Sequence, residues 1–231
     1  MGKRIISQAR GHGSPTYRVR RRAFRFKIKF PKSLEGEATI IKLLNSPAHS
    51  APLAKVKYNE DYFFIPACNE MIEGQKISFI GKEVKQGNIS RLKDLPIKTP
   101  IYCIESIPGD GGKFIKVAGG SAIINRASPE GIYVVFPSKK EKRFDNNCRA
   151  VIGVIAGHGR KDKPIVKAGK KFYMKKATNK LWPRTSAIKM NVIDHPFGSG
   201  RGKNPKSKIA KRNAPPGARV GLIRPRRTGR R

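Results

Sequence analysis

The chain has 231 residues and a formal net charge of +36 at pH 7, a charge that repels itself strongly unless a polyanion is present. No apolar run approaches the ~18–20 residues that a membrane span needs, and the first ten residues contain no apolar signal core, so we expect neither membrane insertion nor export. Nucleic acid is the predicted partner, ahead of a membrane surface or an acidic protein.

The charge is concentrated towards the two ends of the chain. Residues 1–32 contain 11 Lys and Arg and no acidic residue, whereas residues 33–159 contain 17 Lys and Arg against 13 Asp and Glu. Residues 160–183 contain 9 basic residues and residues 184–231 contain 14, each against one acidic residue. Acid-poor blocks usually mark interaction segments. We therefore predict a nearly ordinary body between a basic N-terminal extension, residues 1–32, and a basic C-terminal extension, residues 184–231.

The N-terminal extension mixes basic and aromatic residues. Phe24, Phe26, Ile28 and Phe30 alternate with basic residues, a period of two that is compatible with a strand or an extended segment. Rings among arginines favour stacking on RNA bases together with phosphate contacts. A disordered basic leader or a nuclear address is the alternative. The candidate RNA-binding residues here are Arg10, His12, Arg18, Arg20, Arg21, Arg22 and Arg25.

The body has the pattern of a mainly β protein. Short apolar runs at spacings near ten residues are separated by Gly, Pro, Asn and Asp, which is typical of small barrels. One barrel is predicted over residues 33–85, with strands at 38–44, 53–58, 62–65 and 76–80. A second barrel is predicted over residues 86–183, with strands at 101–107, 114–117, 122–125, 132–136 and 150–155.

A short basic helix is predicted near the end of the body. The pattern becomes helical for about two turns around residues 164–173, and Pro164 suits the first turn of a helix. The candidate RNA-binding residues on its basic face are Lys167, Lys170, Lys171, Lys175 and Lys176.

The sequence contains no motif for catalysis or for a cofactor. Gly74 and Gly81 do not have the spacing of a phosphate loop, and the four His and three Cys never occur at the spacing of a zinc site. A zinc site assembled from residues distant in sequence is the alternative. We therefore predict no enzyme, no metal site and no cofactor, with Mg²⁺ only as a counter-ion of RNA. Cys68, Cys103 and Cys148 lie far apart, and we expect them to be reduced and buried.

Asp194 and His195 are the one pair that suggests acid–base chemistry, since an imidazole with a pKa of about 6.5 is a convenient general base. Residues adjacent in sequence rarely orient one another as a catalytic dyad does, however, and Pro196 and Gly198 favour a turn. Contact with RNA is therefore favoured over catalysis, and a packed or solvated histidine is the alternative.

The C-terminal extension has too few large apolar residues, too widely scattered, to build a core. Ordering a residue costs ~1–2 kcal/mol, so such a segment orders only against a partner, and its charge indicates RNA. The candidate RNA-binding residues are Arg184, Met190, Asn191, Asp194, His195, Pro196, Gly198, Gly200, Arg201, Lys203, Lys206, Lys208, Lys211, Arg212, Arg219, Arg224, Arg226, Arg227 and Arg230.

A resemblance to a known family rests on residues 190–202, which read MNVIDHPFGSGRG. They resemble the M-N-x-x-D/E-H-P-F/H-G-G-G segment of the universal family of large-ribosomal-subunit protein two, with Ser199 in place of the middle Gly of the usual triple. The beginning is similar to that of the archaeal and eukaryotic branch, and the ending is similar to that of archaeal members. Further matches follow the family's order at residues 6–16, 108–112, 118–119, 167–169, 182–184, 213–215 and 226–229.

This resemblance implies an OB-like barrel followed by an SH3-like barrel, with both termini inserted into ribosomal RNA. It implies a non-catalytic structural constituent of the large subunit that binds rRNA and supports subunit association and the architecture of the peptidyl-transferase region. The implied partners are large-subunit rRNA, other ribosomal proteins and the small subunit across the intersubunit face, without a membrane or a small-molecule substrate. The implied location is the cytoplasmic ribosome, and the family's histidine falls on His195.

Two other classes of protein share parts of this pattern. A DNA-compacting chromatin protein needs only repetitive basic tails, whereas the Gly- and Pro-punctuated arms here are aperiodic and favour one defined RNA shape. An enzyme acting on RNA needs a coherent set of acid, base or metal ligands, which the sequence lacks.

Overall fold

A computed structural model describes residues 5–79 and 84–198, without the side chains of Ser7 and Gln8. The chain divides into two compact units. One is Arg20–Thr178, here the β unit; the other combines Met1–Val19 with Asn179–Arg231 and is here the terminal unit. Every strand among the described residues lies in the β unit.

The first sheet is built from β1 (Glu37–Leu44), β2 (Leu53–Tyr58), β3 (Asp61–Pro66) and β4 (Lys76–Ser78). The strands are antiparallel in the order β3-β2-β1-β4. Ala38 and Ile40 alternate with more exposed neighbours along β1, as expected for a strand with one face on the core. The four strands predicted in this part of the chain are confirmed, although residue 80 of the last one lies outside the described residues.

The second sheet is built from β5 (Ile89–Arg91), β6 (Pro100–Tyr102), β7 (Ala122–Ser128), β8 (Gly131–Val135), β9 (Glu141–Phe144) and β10 (Arg149–Ile152). The strands are antiparallel in the order β5-β10-β6-β7-β8-β9. The strands predicted at 122–125, 132–136 and 150–155 are confirmed with shifted ends. The sequence pattern did not predict β5 and β9. Three of the four residues of β9 are exposed, because this charged strand lies at the edge of the sheet.

Two predicted strands in this region are wrong in extent. The strand predicted at 101–107 ends at Tyr102, and the strand predicted at 114–117 is reduced to a single bridge between Ile104 and Phe114. Cys103 and Ile115 have φ values of 50° and 54°, a left-handed conformation that interrupts a strand. The N–H of Cys103 donates to the carbonyl of Ile115 at 2.9 Å, so the two interruptions face each other.

Strand pairing within the described residues gives two open strand orders and no closed barrel. The mainly β class is therefore confirmed. The OB-like and SH3-like arrangement and the predicted domain bounds stay predictions.

Both sheets contribute to one hydrophobic cluster. Leu53 and Ile65 of the first sheet belong to the same buried cluster as Tyr102 and Val151 of the second. The hydroxyl of Tyr102 donates to the carbonyl of Pro66 at 2.9 Å. The two sheets therefore share a buried layer, whichever residue is taken as the boundary between them.

The three cysteines are free and buried, which confirms the expectation from their spacing. Burial raises the pKa of Cys103 to about 12 and that of Cys148 to about 11. Because the thiolate is the reactive form, these thiols are chemically inert near neutral pH.

The helices are short. α1 (Ile6–Gly11) belongs to the terminal unit and α2 (Ala168–Ala177) to the β unit. The helix predicted around 164–173 begins only at Ala168, because Lys167 before it is extended, with φ −118° and ψ 136°. In the described ranges, no helix combines the length and the apolar character that crossing a membrane would need.

Candidate nucleic-acid interface

α2 has no buried residue. Its aromatic residues Phe172 and Tyr173 are exposed, and no acidic residue lies in its first turn. A helix without a buried apolar stripe gains little from packing on its own chain, so its surface suits an outside partner. Of the predicted lysines, Lys167, Lys170 and Lys176 are exposed and Lys171 and Lys175 are half-buried.

The arginines of residues 20–25 lie on a turn that the β unit holds in place. This turn contains the 3-10 helix Arg21–Phe24, in which Ala23 is buried. The carbonyl of Ala23 accepts the N–H of Ala48 at 3.1 Å and the hydroxyl of Ser46 at 3.3 Å. The predicted residues Arg20, Arg21, Arg22 and Arg25 are all exposed around it.

Four adjoining cavities connect this turn to α2, and we call them together the basic groove. The first cavity, lined by Arg20 and Tyr173, and the second, lined by Arg21 and Arg25, share Arg22 and Pro47. The third cavity, lined by Lys27 and Lys116, shares Phe24 and Phe26 with the second. It shares Ser50 with the fourth cavity, which is lined by Arg160 and Lys170. Among the described residues that line the groove, none is acidic. Its basic lining residues are Arg20, Arg21, Arg22, Arg25, Lys27, Lys116, Arg160, Lys161, Lys163, Lys170 and Lys176.

The sequence reasoning missed five of these cations. Arg160, Lys161 and Lys163 belong to the acid-poor block 160–183 and were detectable from its charge. Lys116 lies in the nearly neutral body, and its ammonium donates to the carbonyl of Ile28 at 3.3 Å. No local signal marks it, because the fold alone brings it to the groove. The fifth residue is Lys27.

The predicted motif in the terminal unit forms a closed turn. The N–H groups of Asp194 and His195 donate to the carbonyl of Asn191 at 3.0 and 3.2 Å, and the N–H of Gly198 donates to that of His195 at 2.8 Å. A Cβ on Gly198 would lie 2.4 Å from the carbonyl oxygens of Met190 and Asn191. Glycine is therefore required where the turn closes. Pro196 is exposed within it.

The ring of His195 stabilises this turn. Its Nδ1 accepts the N–H of Phe197 at 3.1 Å, and the two rings meet edge to face at 4.9 Å. An accepting Nδ1 carries no proton, which leaves Nε2–H as the donor of the ring. In a Ser-His-Asp triad Nδ1–H is directed at the orienting carboxylate, whereas here Nδ1 is an acceptor for a backbone N–H. The geometry therefore favours positioning over acid–base chemistry.

The remaining predicted residues fall into two sets. Arg10, His12, Arg18 and Arg184 are exposed in the terminal unit. Outside the described residues lie Gly200, Arg201, Lys203, Lys206, Lys208, Lys211, Arg212, Arg219, Arg224, Arg226, Arg227 and Arg230.

Metal-ligating side chains do not converge in the part of the chain that the structure describes, where no three His, Cys, Asp or Glu lie close enough to hold an ion. The chemistry that the described surface offers is that of cations, exposed rings and backbone turns.

Comparison with known proteins decides the family. Residues 85–217 match the family model described as Ribosomal Proteins L2, C-terminal domain. The large ribosomal subunit protein uL2 of Archaeoglobus fulgidus is 42% identical over 234 residues, which cover 99% of both chains. The chain belongs to the ribosomal protein L2 family. The uL2 protein of Methanococcoides burtonii is 44% identical over the whole of both chains, and the uL2 protein of Methanocaldococcus jannaschii is 41% identical over 99% of each chain.

Membership of the L2 family confirms the resemblance read from the motifs, and these relatives are archaeal, in agreement with the indicated branch. The L2 family is a structural family of ribosomal proteins. The prediction that the chain is not an enzyme is therefore confirmed.

One L2-like motif of the β unit, residues 108–112, forms a loop around a carboxylate. Asp110 accepts the N–H groups of Ser106 at 2.9 Å, Ile107 at 3.3 Å and Gly112 at 3.0 Å. Burial raises the pKa of Asp110, but the hydrogen bonds from these N–H groups and from Lys113 outweigh burial and hold the pKa below its usual value. This motif therefore stabilises the loop.

Proposed function

We propose that this L2-family chain is a non-catalytic structural constituent of the large ribosomal subunit that binds rRNA. Its relatives bear the name large ribosomal subunit protein. The basic groove is the observation that supports rRNA binding, because its described lining combines eleven cations with no acidic residue. Each phosphate that such cations neutralise releases counter-ions, which drives binding.

The parts of the chain would divide this work. Lys and Arg of the groove and of α2 contact phosphates, while exposed rings such as Tyr173 stack on unpaired bases. The turn at residues 190–198 presents backbone and the Nε2–H of His195 in a fixed geometry. Residues 184–231, and the part of residues 1–32 that precedes the turn at residues 20–25, would insert into folded RNA, whereas Ile28 and Phe30 pack in the core of the β unit. Fully extended, the 48 residues of 184–231 reach on the order of 150 Å at ~3.3 Å per residue.

Family membership supports the finer parts of the proposal. They are an OB-like module followed by an SH3-like module, contacts with other ribosomal proteins and with the small subunit across the intersubunit face, and support of the peptidyl-transferase region. The chain would act in the cytoplasmic ribosome without a membrane, a small-molecule substrate or a cofactor, and Mg²⁺ would enter only as a counter-ion of RNA.

Binding to large-subunit rRNA and to duplex DNA of equal length, compared at matched salt, tests this proposal. The variant Lys170→Glu/Lys176→Glu reverses two groove charges, and Lys93→Glu/Lys140→Glu makes the same change at exposed lysines outside the groove. We expect the groove variant to bind rRNA on the order of tenfold more weakly, with a shallower dependence on salt, and the control to bind almost normally.

Three results would count against it. Equal losses in both variants would show that net charge matters and the groove does not. Equal affinity of the wild type for duplex DNA and rRNA would favour the chromatin alternative. In cells, a tagged chain that separates from large subunits in a high-salt wash would contradict the structural role.

A further inference from the structure

The third cavity of the basic groove brings together a ring, an imidazole, a hydroxyl and two ammonium groups. Its lining includes Phe24, Lys27, His49, Ser50 and Lys116, and we call it the Phe24 site. A phosphate alone would need only the ammonium groups of this cavity. The ring and the hydrogen-bonding side chains beside them therefore indicate a ligand that has more than a phosphate.

The ring of Phe24 is exposed although its backbone is held firmly. Phe24 is 45% exposed, and its ring meets the imidazole of His49 edge to face at 4.9 Å. The neighbouring Ala23 is buried and accepts two hydrogen bonds, which fixes the position of the turn. An exposed and positioned ring is a stacking platform for a flat ligand.

Hydrogen-bonding groups of both kinds line the same cavity. The single hydroxyl proton of Ser46 goes to the carbonyl of Ala23, so Nδ1 of His49 donates to Ser46 Oγ at 2.8 Å and Nε2 keeps a lone pair. Burial and the charge of Lys116 lower the pKa of His49, which keeps this acceptor in place at neutral pH. Ser50 Oγ accepts the N–H of Ala118 at 3.0 Å, and its hydroxyl proton is a donor.

The charges of the cavity favour an anion beside the flat group. The ammonium of Lys116 lies 3.3 Å from the carbonyl of Ile28 and keeps further N–H donors, and Lys27 is exposed at the same cavity. A flat ring with hydrogen-bonding edges next to a phosphate is the chemistry of a nucleotide. A base inside a helix has both faces covered by its neighbours, so only an unpaired base can stack on a protein ring.

We propose that the Phe24 site binds one unpaired nucleotide of rRNA. The base stacks on Phe24, its edge bonds to His49 Nε2 and Ser50 Oγ, and its phosphate lies beside Lys27 and Lys116. This inference rests on the proposed binding of rRNA and adds to it the recognition of a single extruded base.

The test uses the full chain and a stem-loop RNA with one bulged 2-aminopurine, compared with the same stem-loop in which 2-aminopurine is paired. We expect the wild type to bind the bulged RNA about tenfold more tightly and to change the fluorescence of 2-aminopurine. Phe24→Leu keeps an apolar side chain without a π face and should abolish this preference. Tyr62 is an aromatic residue of β3 that is 51% exposed and lies outside the cavity. Tyr62→Leu is therefore the matched control and should keep the preference for the bulged RNA. Lys116→Met, which leaves the ring in place, should weaken binding of the bulged RNA several-fold.

The outcomes separate this site from the proposed function. A wild type that binds large-subunit rRNA but shows no preference for the bulge, or a Phe24→Leu variant that keeps the preference, would overturn the site alone. A wild type that does not bind large-subunit rRNA would overturn the proposed function as well. Adenosine monophosphate that competes as strongly as the bulged RNA would assign the site to a free nucleotide and overturn the assignment to rRNA.

Discussion

Glu105 and Arg149 form a buried bidentate ion pair in the β unit. Nη2 and Nε of Arg149 donate to the two oxygens of the Glu105 carboxylate at 2.6 and 3.1 Å. The side chain of Arg149 is 8% exposed and that of Glu105 is 0% exposed. The backbone N–H groups of Arg149 and Gly111 donate to the same carboxylate at 2.9 and 3.1 Å. Nη1 of Arg149 donates to the carbonyl of Lys32 at 3.2 Å. The pair therefore joins β10, the loop at residues 108–112 and the segment that precedes β1.

Breaking this pair should strongly destabilise the fold. Arg149→Met leaves the Glu105 carboxylate buried without its cation, and we expect a loss of about 3–5 kcal/mol in the free energy of unfolding. Urea denaturation followed by circular dichroism measures it. Arg143→Met is the control, since Arg143 pairs with Glu130 at 3.0 Å on the surface and should matter little. Adding Glu105→Gln to Arg149→Met removes the unpaired charge and should recover part of the loss in the free energy of unfolding. Similar losses in Arg149→Met and Arg143→Met would contradict the prediction.

The contribution of Asp110 to stability should depend on pH. Its pKa is lowered in the folded chain from the usual 3.8, so the stability it contributes is present above that value and is lost as the pH falls through the lowered pKa. We expect Asp110→Asn to be less stable than the wild type at pH 6 and the difference to shrink steadily towards pH 2. Denaturation of both proteins along this series measures the difference. A gap that is constant with pH would show that the carboxylate charge is not what the loop uses.

His195 should act through the acceptor at its Nδ1. His195→Ala removes the acceptor for the N–H of Phe197 and should loosen the turn and weaken binding of large-subunit rRNA several-fold. His195→Asn supplies a side-chain oxygen in its place and should restore much of both. Hydrogen exchange at the Phe197 amide reports on the turn, and filter binding reports on the RNA. If both variants keep the turn closed but bind RNA equally weakly, the imidazole itself is required and the prediction is wrong.

Deleting residues 184–231 should separate folding from assembly. Both hydrophobic clusters lie within residues 28–155, so the β unit should keep its cooperative thermal transition. Assembly into large subunits should fall sharply, because 14 basic residues are removed. Melting by circular dichroism and co-sedimentation with large subunits measure the two effects. A shortened chain that is unfolded, or one that assembles normally, would refute the prediction.

Local patterns predicted most strands of the β unit but not where they stop. Residues 53–58 alternate cleanly and form the predicted strand β2. The strands predicted at 101–107 and 114–117 are wrong in extent, because Cys103 and Ile115 have left-handed conformations that their residue types do not indicate. The sequence pattern did not predict β9, because a charged edge strand lacks the alternation of apolar and polar residues that indicates a half-buried strand.

By itself, the sequence determined the mainly β class, the separation of charge along the chain, the burial of the cysteines and the family, because these follow from composition, period and ordered motifs. Only the tertiary structure decided which distant residues meet. Lys116 lies 88 residues from Ile28, and Arg149 lies 44 from Glu105. Such contacts depend on strand order and register, which create the buried ion pair and place Lys116 and His49 beside Phe24. The sequence alone gives the positive charge, but the basic groove forms only when the packed sheets bring its distant residues together.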